Sequence, residues 1–440
     1  MKRRMLLILA LLLLSGLAHA EFPEKVTIGD KTIECGTVEE IRKLGFECED
    51  IPWKDNAARL YIDAANAHKR PDRPLEDLLN KSATKLDFGG AEKEAAKYFE
   101  ENAQAFDLLK QADRMSRCQI PIARSKSVNA IPLVHLRSFQ DFGRDLKYRA
   151  AFEFAQGEHA KAIDDCFLGL RLGRRVATDQ FLISGIVGIA IQNMTVKVLQ
   201  AMVASGKLAD GELKSLGERL AKEDLAPNWA TGVMGERLGV LDALSEIQAG
   251  RMNVLDMVPL PPGEEEPDPE AFRKKIGLDP ETARKNLTAF YAFLDDQAEK
   301  PFFESFFAVR KFFEDKVAKW DPVTRRLATP FDKALVAYGR CRVSLDAICI
   351  RVALERFHLA GEVYPDLLAE TLPTYLDKLP LDPFSGNPYG YRLEADGNLT
   401  LWSVGENLRD DGGKGDPNNP WAGPDYVFTS RRQAPEEPPK

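Results

Sequence analysis

Residues 182–203 read LISGIVGIAIQNMTVKVLQAMV, the most apolar internal stretch of the chain, and any fold this sequence adopts has to bury it. As a helix the run is long enough to cross a bilayer. Gln192, Asn193, Lys197 and Gln200 argue against that use, because each is costly in hydrocarbon. The run therefore predicts a central helix wrapped by its neighbours. Gly185 and Gly188 would then mark close helix contacts rather than a ligand cradle.

The neighbours are legible from periodicity. Apolar residues recur at three- and four-residue steps over 57–68, 91–114, 138–156 and 158–178, and again over 210–222, 228–249, 280–293 and 302–318. Pro71, Pro74, Pro121 and Pro132 punctuate the connections. Phe302, Phe303, Phe306, Phe307, Phe312 and Phe313 make an aromatic stripe at helical spacing, which predicts core rather than a ligand cage. Pro322 and Pro330 close that region, so a last long helix is expected over 331–360. Upstream, 25–33 predicts two short strands around Gly29-Asp30, and Thr37 followed by Glu40 predicts a capped helix. Ala151, Phe154, Gly157, Ala160, Ala162 and Ile163 loosely resemble the small-residue pattern of a tetratricopeptide hairpin. No second copy follows at a 34-residue period, so a single helical hairpin is expected.

The chain ends carry different information. Lys2, Arg3 and Arg4 precede an apolar run over 5–14, and Ala18-His19-Ala20 offers a small-x-small cleavage site: a secretory signal over 1–20. Losing its three basic residues takes the net charge of −8 to −11, a poor balance for nucleic acid or an anionic membrane surface. The expected location is periplasmic or extracellular, with no stable membrane span after cleavage. In an oxidising compartment the six cysteines gain meaning. Cys35 and Cys48 lie close in sequence and are the first pair expected to bridge. Cys341 and Cys349 are about 12 Å apart along one helix, too far to bond each other. Either could reach Cys118 or Cys166, or all four serve as small buried apolar residues. No C-x-x-C spacing indicates a redox or zinc motif.

The C-terminal part has a different texture. A helix exit at Gly361-x-x-Tyr364-Pro365 leads to Leu379-Pro380-x-Asp382-Pro383-Phe384-x-Gly386-x-Pro388-Tyr389. Two short strands follow, and Trp402-Ser403-Val404-Gly405 runs into an Asn/Asp/Gly loop. These marks, under a quarter of the chain, resemble the C-terminal head of the major pseudopilin of type II secretion systems. The resemblance implies a small α+β head whose loop binds calcium. Carried onto matching positions, it implies the carbonyls of Val404 and Arg409 and the side chains of Asn407 and Asp416, with Asp410 or Asp411 as local alternatives. The chain departs from the family by Asn at 407 where Asp is usual, and in the spacing to Asp416. Glycines at 405, 412, 413 and 415 would let the loop wrap a hard cation that needs six to eight oxygens. The terminal bidentate Glu of an EF-hand is missing.

The fold class expected is mainly α: a multi-helix body followed by a small α+β pseudopilin-like domain. The organisation expected is a signal over 1–20, a small segment over 21–55, a helical domain over 56–330 with a mobile Pro/Glu-rich loop at 258–269, a head-like domain over 331–430, and a disordered tail over 431–440. Catalytic motifs are sparse. His68, His135, His159 and His358 fall in no ligand spacing, and no G-x-S-x-G, P-loop or G-x-G-x-x-G occurs. Asp164 and Asp165 near Arg171, Arg174 and Arg175 predict an ion-paired helix face. True pilins run an N-terminal apolar helix straight into the head. Here the helix before the head begins some three hundred residues in and carries Arg340, Arg342 and Arg351. The expected function is a binding or scaffold module for a protein partner in the cell envelope, with no catalysis. The alternatives are an envelope hydrolase with non-local carboxylates, which need no local motif, and an accessory component of a type II secretion or pilus-like system. A deep polar pocket with convergent acids favours the hydrolase, and a concave face without them favours the binding module.

Overall fold

The computed structural model describes residues 22–256, 268, 271, 274–361, 363–395, 397–416 and 419–430. The expected signal segment and C-terminal tail lie outside the described residues, as does nearly all of 258–269. In chain order the elements are β1 (Lys25–Ile28), β2 (Lys31–Glu34), α1 (Val38–Lys43), α2 (Ala57–Ala67), α3 (Arg73–Lys85), α4 (Glu92–Glu101), α5 (Ala103–Asp113), α6 (His135–Ala155) and α7 (His159–Val176). They continue as α8 (Leu182–Ala204), α9 (Asp210–Lys222), α10 (Thr231–Gln248), α11 (Pro280–Ala298), α12 (Phe302–Asp315), α13 (Pro322–Gly361), β3 (Gly390–Leu393), β4 (Leu399–Ser403) and β5 (Tyr426–Ser430). With 62% helix and 7% strand the fold is mainly α, and its C-terminal part carries a small three-stranded sheet.

The chain divides into two compact units, one of residues 1–70 and 100–138, the other of 71–99 and 139–440. In the first, β1 and β2 form an antiparallel hairpin with Val26 opposite Ile33, and Val26, Ile28 and Ile33 are buried. The Asn66 side chain fixes the hairpin end, donating to Thr27 O and accepting from Gly29 N. Thr37 and Glu40 make the reciprocal capping bonds at 3.2 and 2.8 Å. The helix expected over 91–114 is two helices, α4 and α5. The break is at Asn102, whose buried side chain bonds both backbone groups of Lys69. An amide side chain that takes remote backbone partners in this way competes with helix continuation. Cys35 and Cys48 are both buried as unbridged thiols, and no disulfide occurs among the described residues. Nearness in sequence did not make this pair a bridge.

In the second unit α8 is the axis. It packs against α7, α13, α10 and α3, and 67% of its most apolar window is buried. Its length and composition alone would pass for a membrane span. Its polar residue Gln192 is fully buried, yet every function of the amide is used: it donates to Leu170 O and Leu225 O and accepts from Cys341 Sγ. Gly188 faces Gly173 of α7 so closely that a Cβ on it would lie 2.3 Å from the Gly173 carbonyl oxygen. Gly185 lies against the Tyr338 ring of α13. Both glycines are thus contact points between helices.

The helical hairpin is formed by α6 and α7, with Gly157 (φ +79°) at the turn. Its charges are arranged differently from the expected helix face. Asp165 is buried and clamped by Arg149 across the hairpin. Asp164 pairs with Arg219, Arg171 with Glu223, and Arg174 with Asp224, all from or just beyond α9. The acids and arginines of α7 therefore join helices instead of pairing along one.

The last helix begins nine residues earlier than Pro330 suggested. Asp321 accepts from Thr324 N at 3.0 Å and starts α13 at Pro322, a position where the missing N–H costs nothing. Position 330 lies inside the helix, where proline forfeits one backbone bond. Leu327, Ala328, Phe331 and Leu335 are buried around it, and that packing outweighs the loss. The 40-residue helix is about 60 Å long. The antiparallel sheet β3-β4-β5 sets Gly390 opposite Trp402 and Trp402 opposite Val427, and Tyr426 of β5 accepts from Arg340 of α13 at 3.0 Å. Of the aromatic stripe of α12 only Phe306 is fully buried, and half-buried rings pack around it: Phe306 and Phe302 meet Phe384 edge-on, and Phe312 packs on Phe290 and Phe293. Phe307 is the exposed exception.

Candidate functional site

Three buried aspartates organise the join between α13 and the C-terminal sheet, and a cleft opens beside one of them. Asp346 stands alone as an acid among Leu345, Ala347 and Ile348 on α13. Arg342, one turn earlier, donates Nε to both its oxygens at 3.1 and 3.3 Å, and Tyr389 donates its hydroxyl to Oδ2 at 3.0 Å. Burial nevertheless pushes Asp346 up from 3.8 to about 6, since desolvation outweighs the arginine and the two donors. Asp382, the acid of the Leu-Pro-x-Asp-Pro-Phe stretch, accepts from Phe384 N, Val404 N and Ser403 Oγ. It ties the proline-rich connector to the end of β4, and burial raises its pKa as well. Asp425, at the entry to β5, is fully buried and accepts from the backbone of the acidic loop.

The cleft has a volume of about 410 Å3 and lies between the 220–226 turn after α9, one face of α13 and the 376–380 connector. Four carboxylates line it. Glu223 and Asp224 are held by Arg171 and Arg174, Asp346 by Arg342 and Tyr389, and Asp377 is exposed. Cys349 also lines it, but burial pushes its thiol up to about 12, so it is no thiolate nucleophile at neutral pH. Lys222, Arg342 and Lys378 supply positive charge. What this arrangement can do is recognise polar groups of either sign. Asp346 is a raised acid in a cleft that three other carboxylates also line, but three of the four, Asp346 among them, are held by arginines.

The histidines stand apart from the cleft. His159 stacks on Phe154 and its Nδ1 lies 3.0 Å from Glu212, while His358 stacks on Tyr364 at 4.5 Å.

The residues assigned to calcium by resemblance lie on one loop, where several of their side chains already have partners within the protein. Asn407 donates its amide N–H to Asp411 Oδ2 and accepts from Arg409 N, closing a short turn on itself. Asp410 Oδ1 accepts from Trp402 Nε1 and Gly412 N. Asp416 lies further on, paired through its backbone with Asn419. Val404 directs its N–H at Asp382. Among the described residues no group of three or more His, Cys, Asp or Glu side chains converges as a metal site requires.

Sequence reasoning missed Asp346, Asp382 and Asp425. An isolated acid within the apolar face of a long helix was the available signal for the first. Asp382 stands in the Leu379-Pro380-x-Asp382-Pro383-Phe384 stretch already singled out, though without a role, and nothing local distinguishes Asp425 from a surface turn residue. No family model matches this chain, and no curated protein and no solved structure matches it either.

Proposed function

We propose that the chain is an exported, non-catalytic binding protein of the cell envelope, a helical body that carries a pseudopilin-like head, and that it takes its partner in the cleft beside Asp346. The observation that carries this reading is the cleft's mixed-charge wall, in which buried Asp346 is engaged by Arg342 and Tyr389, and Glu223 and Asp224 by Arg171 and Arg174. Such a wall suits a polar segment of a protein partner, offering charged contacts together with apolar ones at Leu345 and Pro380. A signal-like N-terminus and a net acidic chain support an extracytoplasmic partner other than nucleic acid.

The test is a screen of the mature protein against a library of short charged peptides, read by chemical-shift perturbation. Binders should map to Arg342, Lys378 and the 220–226 turn. A Lys222→Glu/Lys378→Glu double variant should lose them while unfolding at the same temperature. Turnover of a chromogenic ester, amide or glycoside that vanishes in Asp346→Asn would replace this reading with that of a hydrolase.

A further inference from the structure

We propose that the acidic loop after β4 is organised around an internal anion, the Asp425 carboxylate, and that its order does not depend on a bound cation. Three of the loop's backbone N–H groups converge on Asp425. Asp411 N reaches Asp425 Oδ1 at 3.2 Å, while Gly413 N and Lys414 N reach Oδ2 at 2.7 and 3.3 Å. Asp425 N returns a bond to Lys414 O at 3.1 Å, so the 411–414 segment is fastened to the residue that enters β5.

This is the polarity opposite to that of a cation loop. Calcium is held by carbonyl and carboxylate oxygens turned toward the centre. A concavity of successive N–H groups is an anion-binding nest, and here a side chain of the same chain fills it. The glycines make the inversion possible. Gly412 and Gly413 both adopt φ +75°, a conformation that lets the N–H groups of Asp411, Gly413 and Lys414 meet at Asp425 while that of Gly412 goes to Asp410. A Cβ at Gly413 would also come within 3.1 Å of the Trp402 ring, which the loop covers.

The side-chain oxygens nearest in sequence have other work. Asp410 holds Trp402 Nε1 at 2.9 Å, and Asp411 holds the Asn407 amide at 2.8 Å. The Gly412 carbonyl accepts from Arg392 on β3, a cationic neighbour that would itself repel a metal ion. The rim thus carries an arginine and the centre a carboxylate.

The experiment is hydrogen exchange on the mature protein, following the peptide that covers 409–415, once in excess chelator and once in millimolar calcium. Protection should be equal in both, with the unfolding midpoint unchanged. Asp425→Asn replaces one acceptor oxygen by a donor facing the same N–H groups. It should speed exchange of that peptide by about tenfold or more in both buffers. Should the variant fail to fold, the comparison in the native protein still decides. Protection that appears only with calcium, or a saturable calcium heat abolished by Asp416→Ala, would overturn the proposal. This test is separate from the cleft: a cleft without ligands leaves it intact, and a calcium loop would leave the cleft reading intact.

Discussion

The hydroxyl of Tyr389 donates to Asp346 Oδ2 at 3.0 Å, so a tyrosine at the entry to the C-terminal sheet is bonded to a carboxylate embedded in the long helix α13. Arg342 holds the same carboxylate from the other side and Asp382 adds a second negative charge nearby. The balance leaves Asp346 at about 6, above its ordinary 3.8.

That shift has a sign. The folded state binds the Asp346 proton more tightly than the unfolded chain. The resulting stabilisation is fully present below about pH 4 and is lost as pH rises through 6, a change of about 3 kcal/mol. Asp346→Asn keeps the shape and removes the titration. The variant should therefore gain on the native protein as pH climbs from 4 to 7 in urea melts. Parallel curves for the two proteins would show that Asp346 does not titrate in this range.

Much of the fold is legible from local pattern, and the limits have a common cause. The capping box at Thr37, the α6–α7 turn at Gly157, the aromatic packing of α12 and the glycine contacts of α8 all follow from spacing within one turn or one helix face. What escaped depends on partners far along the chain. Asn102 breaks a helix because Lys69 accepts it, and α13 passes position 330 because its flanks are buried. The pairings of Asp164 and Asp165 go to Arg219 and Arg149 because α9 and α6 lie beside α7. The site suffered most. An aspartate that gathers three backbone N–H groups looks in sequence like any turn aspartate, so Asp425 was passed over for the acids beside it. The strand it introduces, β5, was likewise unforeseen.

The hairpin pair gives a second prediction. Arg149 and Asp165 are both buried, and removing one partner leaves an uncompensated charge. Arg149→Met should cost about 3–5 kcal/mol, and Arg149→Met/Asp165→Leu should recover most of it, because a buried ion pair contributes little beyond an apolar pair of equal volume. Denaturant midpoints of the two variants check this. Equal loss in both would mean that the pair itself, rather than the orphaned carboxylate, holds the hairpin.

Backbone approach gives a third. A Cβ at Gly188 meets the Gly173 carbonyl at 2.3 Å, and a carbonyl in a packed helix cannot swing aside as a side chain does. Gly188→Ala should therefore destabilise by about 3 kcal/mol despite the better helix propensity of alanine. Gly211 on α9 has nothing within 4 Å of its Cβ position. There the same substitution should stabilise by about 0.5–1 kcal/mol. Thermal melts of the two variants should move in opposite directions.

The fourth prediction concerns the polar residue that argued against a membrane span. Gln192 satisfies two buried carbonyls, those of Leu170 and Leu225, and accepts the Cys341 thiol. Gln192→Leu makes α8 more apolar at nearly constant volume. On hydrophobicity alone the protein should gain. On hydrogen bonding it should lose, because the Leu225 carbonyl is left bare at about 1–3 kcal/mol, while the Leu170 carbonyl keeps its helical bond within α7 and the thiol loses only a weak bond. The second term is larger, so Gln192→Leu should unfold at lower urea concentration than the native protein, with an unchanged slope. A Gln192→Leu/Cys341→Val variant should recover only the small part owed to the thiol, since the Leu225 carbonyl belongs to the backbone. A stabilised single variant would mean that α8 answers to its apolarity alone, as a helix in lipid would.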